Sequence, residues 1–202
     1  MSVRGKYIRE VVPQDILTLL KNGAPEDAFL DFKRTLFHAG HPLDKLDEDK
    51  NDLARDFVAF ANAQGGHIIV GIEEDRQHRA STLALLAGDQ AEKIRTIARD
   101  VAISRTRPPV PMEIDSLQME EGRFVVIARI DESQSKPHMW TYGDELRFVV
   151  RDNDRKRTMA YEEIRELFLR GPQEEQMRRL FGEVKSVRAL LEDMSARLGT
   201  RG

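Results

Sequence analysis

Apolar residues along this chain change their period several times, and each change marks an element. In residues 13–22, PQDILTLLKN, Pro13 stands near the start and Gly23 just past the end of a short helical pattern that would turn Leu17 and Leu20 toward the core. Residues 29–37, FLDFKRTLF, alternate instead. On a strand, Leu30 and Phe32 point one way and Asp31 and Lys33 the other, so one buried and one charged face are expected. His38–Lys50, with Gly40, Pro42 and a run of charges, reads as a polar loop. From about Asp49 to Ala63, Leu53, Phe57, Phe60 and Ala61 recur at i, i+4, i+7 and i+8, an amphipathic helix that stops at Gly65-Gly66.

A compact strand, HIIVGI, follows at residues 67–72. A second amphipathic helix spans about Asp89–Ala102, with Ile94, Ile97, Ala98 and Val101 inward. Residues 110–119 and 123–131, joined at Glu121-Gly122, predict an antiparallel hairpin, and ELRFVVR at 145–151 a third strand. Residues 158–170 predict a helix capped by Thr158, with Ile164, Leu167 and Phe168 apolar. The sum is an α+β domain over residues 1–170, a mixed or antiparallel sheet with packed helices.

Beyond Gly171-Pro172, Met177, Leu180, Val184, Val187, Leu191, Met194 and Leu198 repeat with alternating spacings of three and four. That is an a/d heptad pattern, in which Glu183 at g can pair with Arg188 at e of a parallel partner. Residues 173–202 are expected to form a coiled-coil helix that joins subunits through residues 173–198, or else a helix folded back on the domain.

Composition narrows the chemistry. The 32 Lys+Arg against 35 Asp+Glu give a formal net charge of -3, so any polyanion site has to be a local patch. The absence of cysteine excludes disulfides, Cys-ligated zinc and thiol catalysis. Neither a signal-peptide core nor an apolar run of membrane-spanning length occurs in the sequence, so a cytoplasmic protein with no membrane partner is expected. A Walker loop requires G-x4-G-K-[ST] after a strand; this string is missing and Gly65-Gly66 follows a helix, which argues against ATP hydrolysis. His38, His41, His67 and His138 lack zinc-site spacing.

Four segments together resemble one family, the Schlafen-type Alba-like (AlbA_2) domain, some of whose members carry a divergent AAA, DNA-binding or ATP-binding label. EDAFLDFKR resembles its E-x4-E-F-K signature through Glu26, Asp31, Phe32 and Lys33. FVAFANAQGGHIIVGIEED resembles its A-F-A-N-x-x-G-G followed by a strand, Gly and acids. SKPHMW is similar to its Lys-Pro-His element, and LRFVVRDNDRKRTMAYEEIRELF to its strand, Arg, turn and EEI helix. Two departures stand out: Asp31 replaces glutamate, and Asp152-Asn153-Asp154 replaces a glycine-containing turn.

Some family members cleave RNA through a carboxylate set, and the resemblance implies catalytic positions here at Glu26, Asp31 and an acid after the second strand. Glu73 is the candidate, Glu74 and Asp75 its rivals. A spacing of five puts Glu26 and Asp31 on opposite faces of a continuous strand, so they meet only if the chain turns between them. If they meet, Glu26, Asp31 and Glu73 offer oxygen ligands to Mg²⁺ or Mn²⁺, with Lys33 placed to contact phosphate; otherwise they are solvated acids near strand ends. Gly65 and Gly66 are either a helix cap and turn or a backbone phosphate contact.

Lys33, Arg34, Arg147, Arg151, Arg155, Lys156 and Arg157 form the best candidate for a nucleic-acid-binding patch. Aromatic residues are 6% of the chain, and Trp140 and Tyr142 are the only stacking candidates near a loop. The expected function is nucleic-acid binding, to DNA or RNA, as a homo-oligomer. The alternatives are a Mg- or Mn-dependent endoribonuclease acting on structured RNA such as tRNA, and an oligomerising interaction module.

Overall fold

The computed structural model describes residues 3–36 and 43–169. The chain divides into two units, Met1–Ala160 and Tyr161–Gly202. In the first, a 3-10 turn at Ile8–Glu10 leads into α1 (Pro13–Lys21), β1 (Leu30–Lys33), α2 (Leu43–Asn62), β2 (Gly65–Val70), β3 (Ile72–Glu74), β4 (Ala80–Leu83), β5 (Leu86–Ala87) and α3 (Gly88–Ser104). There follow β6 (Thr106–Arg107), β7 (Met112–Glu120), β8 (Arg123–Asp131), β9 (Met139–Tyr142), β10 (Glu145–Arg147), β11 (Val149–Asp152) and β12 (Arg155–Thr158). In the second unit, residues 161–169 are helical. The heptads of 173–198 lie outside the described residues.

The principal sheet is mixed. β1 pairs with β2 in parallel, β2 and β7 flank β8 antiparallel, and β5 pairs with Phe124 and Arg123 at the far end of β8. Successive residues of β2 and β8 serve two separate cores, as a period of two requires. Ile68, Val70, Val126, Ala128 and Ile130 pack with Phe57 and Phe60 of α2 and Ile94, Ala98 and Val101 of α3. Ile69, Val125 and Ile127 join Leu30, Phe32, Ile16 and Leu19 on the other side. The six residues of β2 are all buried, the signature of a strand covered on both faces.

Local chemistry explains the boundaries. Asp15 accepts the Val12 N–H at 3.0 Å at the start of α1. Gly23, at φ +51°, closes its end by sending N–H to Leu20 while Ala24 donates to Leu19, a Schellman arrangement. Four expectations require correction. Ile16 and Leu19, not Leu17, are the buried face of α1, and Leu17 is exposed. α2 begins at Leu43, so much of the supposed charged loop is its first turns. Residues 145–151 break at Phe148 into β10, paired with β9, and β11, paired with β12. β12 ends at Thr158, and the helix after it starts only at residue 161.

Candidate functional site

The turn needed to join Glu26 to Asp31 is present. The Asp27 carboxylate accepts the Phe29 N–H at 2.8 Å, and the Asp27 N–H reaches the Leu30 carbonyl at 3.1 Å, an Asx turn that folds residues 26–30 back on themselves. The Glu26 Oε1 then accepts the Phe32 N–H at 2.6 Å, beside Asp31. Burial, then the nearby Asp31 carboxylate and more weakly Glu74, push the Glu26 carboxyl up to about 7 against the opposing Phe32 N–H and Arg151.

The acid brought close to Glu26 by the third strand is Glu74 rather than Glu73. The β3–β4 hairpin lies against the segment before β1, with Pro25 bridged to Arg79 and the Glu26 N–H donated to the His78 carbonyl at 2.9 Å. His78 holds the left-handed turn position at φ +54°, and its Nδ1 lies 2.8 Å from a Glu74 oxygen. One potential ligand atom from each of Glu26, Glu74 and His78 falls within 4.8 Å of the others. Glu73, the preferred candidate, instead accepts from Arg34 and from the Thr82 hydroxyl, both at 3.3 Å. Sequence reasoning missed His78; its only signal was that it lies in the turn after the acids.

Behind β1 the charged face is buried, contrary to expectation. Asp31 is 5% exposed, held by Arg151 at 2.8 Å on one oxygen and by Lys33 at 2.9 Å on the other. Lys33 also reaches the buried Asp56 of α2 at 3.1 Å, and Asp56 accepts Lys156 of β12 at 2.8 Å. The result is a chain of ion pairs, Arg151, Asp31, Lys33, Asp56, Lys156, stitching β11, β1, α2 and β12 together. Burial opposes charge on Asp56, but Lys33 and Lys156 hold its carboxyl below the usual range. Burial likewise opposes the Lys33 charge, and Asp56 and Asp31 outweigh it, pushing the ammonium pKa upward.

Arg151 was expected among the phosphate contacts, and this too is corrected. It donates to Asp31, to the Leu30, Asp27 and Asn153 carbonyls, and rests 4.7 Å over the Phe60 ring. Such saturation makes it an internal clamp. Asn153, at φ +55°, turns β11 into β12 in a left-handed conformation that asparagine tolerates. Lys33 and Lys156 are likewise held by Asp56, and the remaining cations lie at the surface. Arg34 pairs with Glu73, Arg147 with Glu145 and Arg157 with Asp152, while Arg155, Lys156 and Arg157 sit on a strand exposed at all four residues.

Gly65 and Gly66 open β2 rather than forming a loop. A Cβ on Gly65, at φ +75°, would lie 2.6 Å from the Ile130 carbonyl oxygen, and one on Gly66 would strike the Phe60 ring and lie 2.8 Å from the Phe29 oxygen. The turn itself is Ala63-Gln64. Asn62 of the A-F-A-N element is buried and donates to the His138 and Val149 carbonyls at 2.8 and 2.9 Å while accepting the His138 N–H at 2.7 Å. His138 is fully buried between the Pro108 carbonyl, to which Nδ1–H donates, and Ser133 Oγ, from which Nε2 accepts; burial pushes its pKa down. Trp140 is buried and Tyr142 stacks on it at 6.4 Å.

As a divalent-ion site the donors fit in part. Glu26 and Glu74 supply hard oxygens suited to Mg²⁺ or Mn²⁺, and His78 adds a nitrogen that favours the transition metal. Asp31 fits less well, because each of its oxygens already holds a cation.

A model of the Schlafen, AlbA_2 family matches residues 26–160, from Glu26 to the end of the first unit. The chain belongs to the Schlafen AlbA_2 family. No curated protein matches it. Among solved structures, the Corynebacterium diphtheriae DIP2311 protein is 21% identical at a TM-score of 0.47, over 79% of this chain and 28% of that one. This chain thus spans under a third of that protein's length. The solution structure of the N-terminal domain of an ATP-dependent DNA helicase RecG-related protein from Nitrosomonas europaea is 15% identical at 0.49, covering 75% of this chain and 96% of that domain. Within the Schlafen AlbA_2 unit described above, the A-F-A-N, Lys-Pro-His and strand-Arg elements meet as internal structure, through Asn62, His138 and Arg151.

Proposed function

We propose that this Schlafen AlbA_2 chain binds nucleic acid, DNA or RNA, through the β11–β12 ribbon. The observation that carries the reading is the exposure of β12, which presents Arg155 and Arg157 on one face of a two-stranded ribbon while Lys156 between them holds Asp56. Such cations supply phosphate contacts, and a two-stranded ribbon fits a major groove. Exposed Arg34 and Arg147 are further candidates. Fluorescence anisotropy across a salt series tests it. Arg155→Ala with Arg157→Ala should lower the slope of log K against log salt by about two. Absence of binding at about 50 mM salt would overturn it. The heptad spacing of the tail supports self-association, and light scattering should show a loss of mass once residues 173–202 are removed.

A second reading, divalent-metal-dependent cleavage of structured RNA such as tRNA, is favoured by the convergence of Glu26, Glu74 and His78. Incubation with tRNA and Mn²⁺ or Mg²⁺ should give cleavage that Glu26→Gln and Glu74→Gln abolish. Cleavage that neither variant alters would sink it.

A further inference from the structure

A cavity of about 480 Å³ opens at the start of β2, on the face of the sheet opposite α2, and nothing described so far uses it. Its floor is Gly66 and His67 of β2 and Arg129 of β8, its wall Phe29 and Gln64, and the N-terminal segment reaches it at Arg4 and Gly5. The volume is within the range of small-ligand sites, where mostly apolar walls carry a few placed polar groups.

The polar groups are mixed in kind and balanced in charge. The His67 Nε2 lies 3.2 Å from the Lys6 carbonyl, which can only accept, so Nε2 carries the hydrogen and Nδ1 is left as an acceptor. Arg129 lines the cavity and is paired with Asp131, and its Nη1, buried and 3.7 Å from Glu113, has no hydrogen-bond partner among the described residues. Gln64 is exposed and offers both a donor and an acceptor. A compensated guanidinium beside an imidazole acceptor and an amide suits a neutral ring with donors and acceptors along its edge better than a free anion.

The rim supplies what such a ring would be attached to. The segment Arg4-Gly5-Lys6-Tyr7-Ile8-Arg9, which lines the cavity at Arg4 and Gly5, interleaves three cations with an aromatic; Arg4 pairs with Asp27 and Lys6 with Asp15, and Arg9 lies beside the Tyr7 ring. Tyr7 is 45% exposed, with the Arg129 guanidinium 4.2 Å and the Arg9 guanidinium 5.4 Å from its ring centre. Stacking on aromatic and guanidinium planes, edge hydrogen bonds and nearby cations are the means by which unstacked bases of a single strand are held.

We infer that the cavity beneath residues 4–7 receives one unstacked base of a bound single strand, with Tyr7 at its rim and Gln64, His67 and Arg129 on the base edge. This rests on the nucleic-acid-binding reading and adds a second contact region, on the N-terminal segment, to the ribbon. The test compares a fluorescein-labelled RNA dodecamer with an abasic dodecamer of the same phosphate backbone. The unaltered protein should prefer the base-bearing strand by about tenfold. Tyr7→Ala and Gln64→Ala, both at exposed side chains and so compatible with folding, should reduce that preference to under about threefold with the salt slope unchanged.

Equal binding of both strands, or a preference that survives both substitutions, overturns the base pocket and leaves the ribbon standing. Failure to bind either strand at low salt overturns the pocket, and failure to bind a DNA or RNA duplex as well overturns the nucleic-acid-binding reading itself.

Discussion

Arg151 and Arg155 are four residues apart in one cationic run, on paired strands of the same hairpin, and their environments are opposite. Arg151 has a side chain 1% exposed and gives its hydrogen bonds to β1, the turn before it and its own turn. Arg155 lies on a strand exposed throughout. Lys156, the next residue after Arg155, reaches inward to Asp56 from that same strand. A run of like charge is therefore not one functional unit. The hairpin assigns each cation to the interior or to the surface, and only the surface ones remain available to a polyanion.

The sharpest way to break this contrast is at the clamp. Arg151→Ala leaves Asp31 buried beside Lys33 alone and should cost about 3 to 5 kcal/mol in denaturant unfolding. The double change Arg151→Met with Asp31→Leu should cost much less, since no buried charge is stranded. If the single substitution proved as mild as a surface one, the internal role of Arg151 would be wrong.

Asp56 tests the link between the two sides. Asp56→Asn removes the shared partner of Lys33 and Lys156 and should cost about 2 to 3 kcal/mol. Because the folded carboxyl titrates below its unfolded range, its stabilising contribution is present above about pH 4 and lost as pH falls through the folded value. An acid unfolding profile that the substitution leaves unchanged would count against it.

Glu26 has the opposite sign. Its folded carboxyl stands at about 7 against an ordinary 4.5, so the folded state holds a proton that the unfolded chain has released across that window. Stability should fall as pH rises from about 4.5 to 7 and then level off, by about 1 to 2 kcal/mol after screening. Glu26→Gln, which keeps an acceptor for Phe32, should flatten that segment of the profile. The smallest effect belongs to the ribbon: Arg155→Ala should alter stability by no more than about 0.5 kcal/mol while weakening nucleic-acid binding.

Where one apolar period runs long enough, the elements were legible in the sequence. Leu53, Phe57, Phe60 and Ala61 are all buried on α2, as their spacing predicts, and the β7–β8 hairpin turns at Glu121-Gly122. The residues of β12, Arg-Lys-Arg-Thr, contain nothing apolar, so alternation could not reveal the strand or that Val149–Asp152 pairs with it rather than continuing β10. Leu43–Lys50 reads as a loop because its turns carry charge without a visible apolar stripe. At the site, alternation placed Asp31 and Lys33 on one face of β1 but could not say what covers that face. The answer, Asp56, is an acid embedded among Ala54, Phe57 and Val58, where the pattern gives it no distinction. The meeting of Glu26 with Asp31 depended on the turn at Asp27, and the choice of Glu74 over Glu73 on which side of a short hairpin each acid occupies.

The close approach at Gly66 reaches further than its own turn. The Phe60 ring that bars a side chain there is the same ring on which the Arg151 guanidinium rests. The Phe29 carbonyl that bars it on the other side belongs to the turn whose hydrogen bonds bring Glu26 beside Asp31. A single methyl at position 66 would thus press at once on the seat of the arginine and on the bend that gathers the acids. The missing side chain acts as a spacer gauge: the gap it preserves between helix and sheet sets where two sets of charges, on different strands, come to lie.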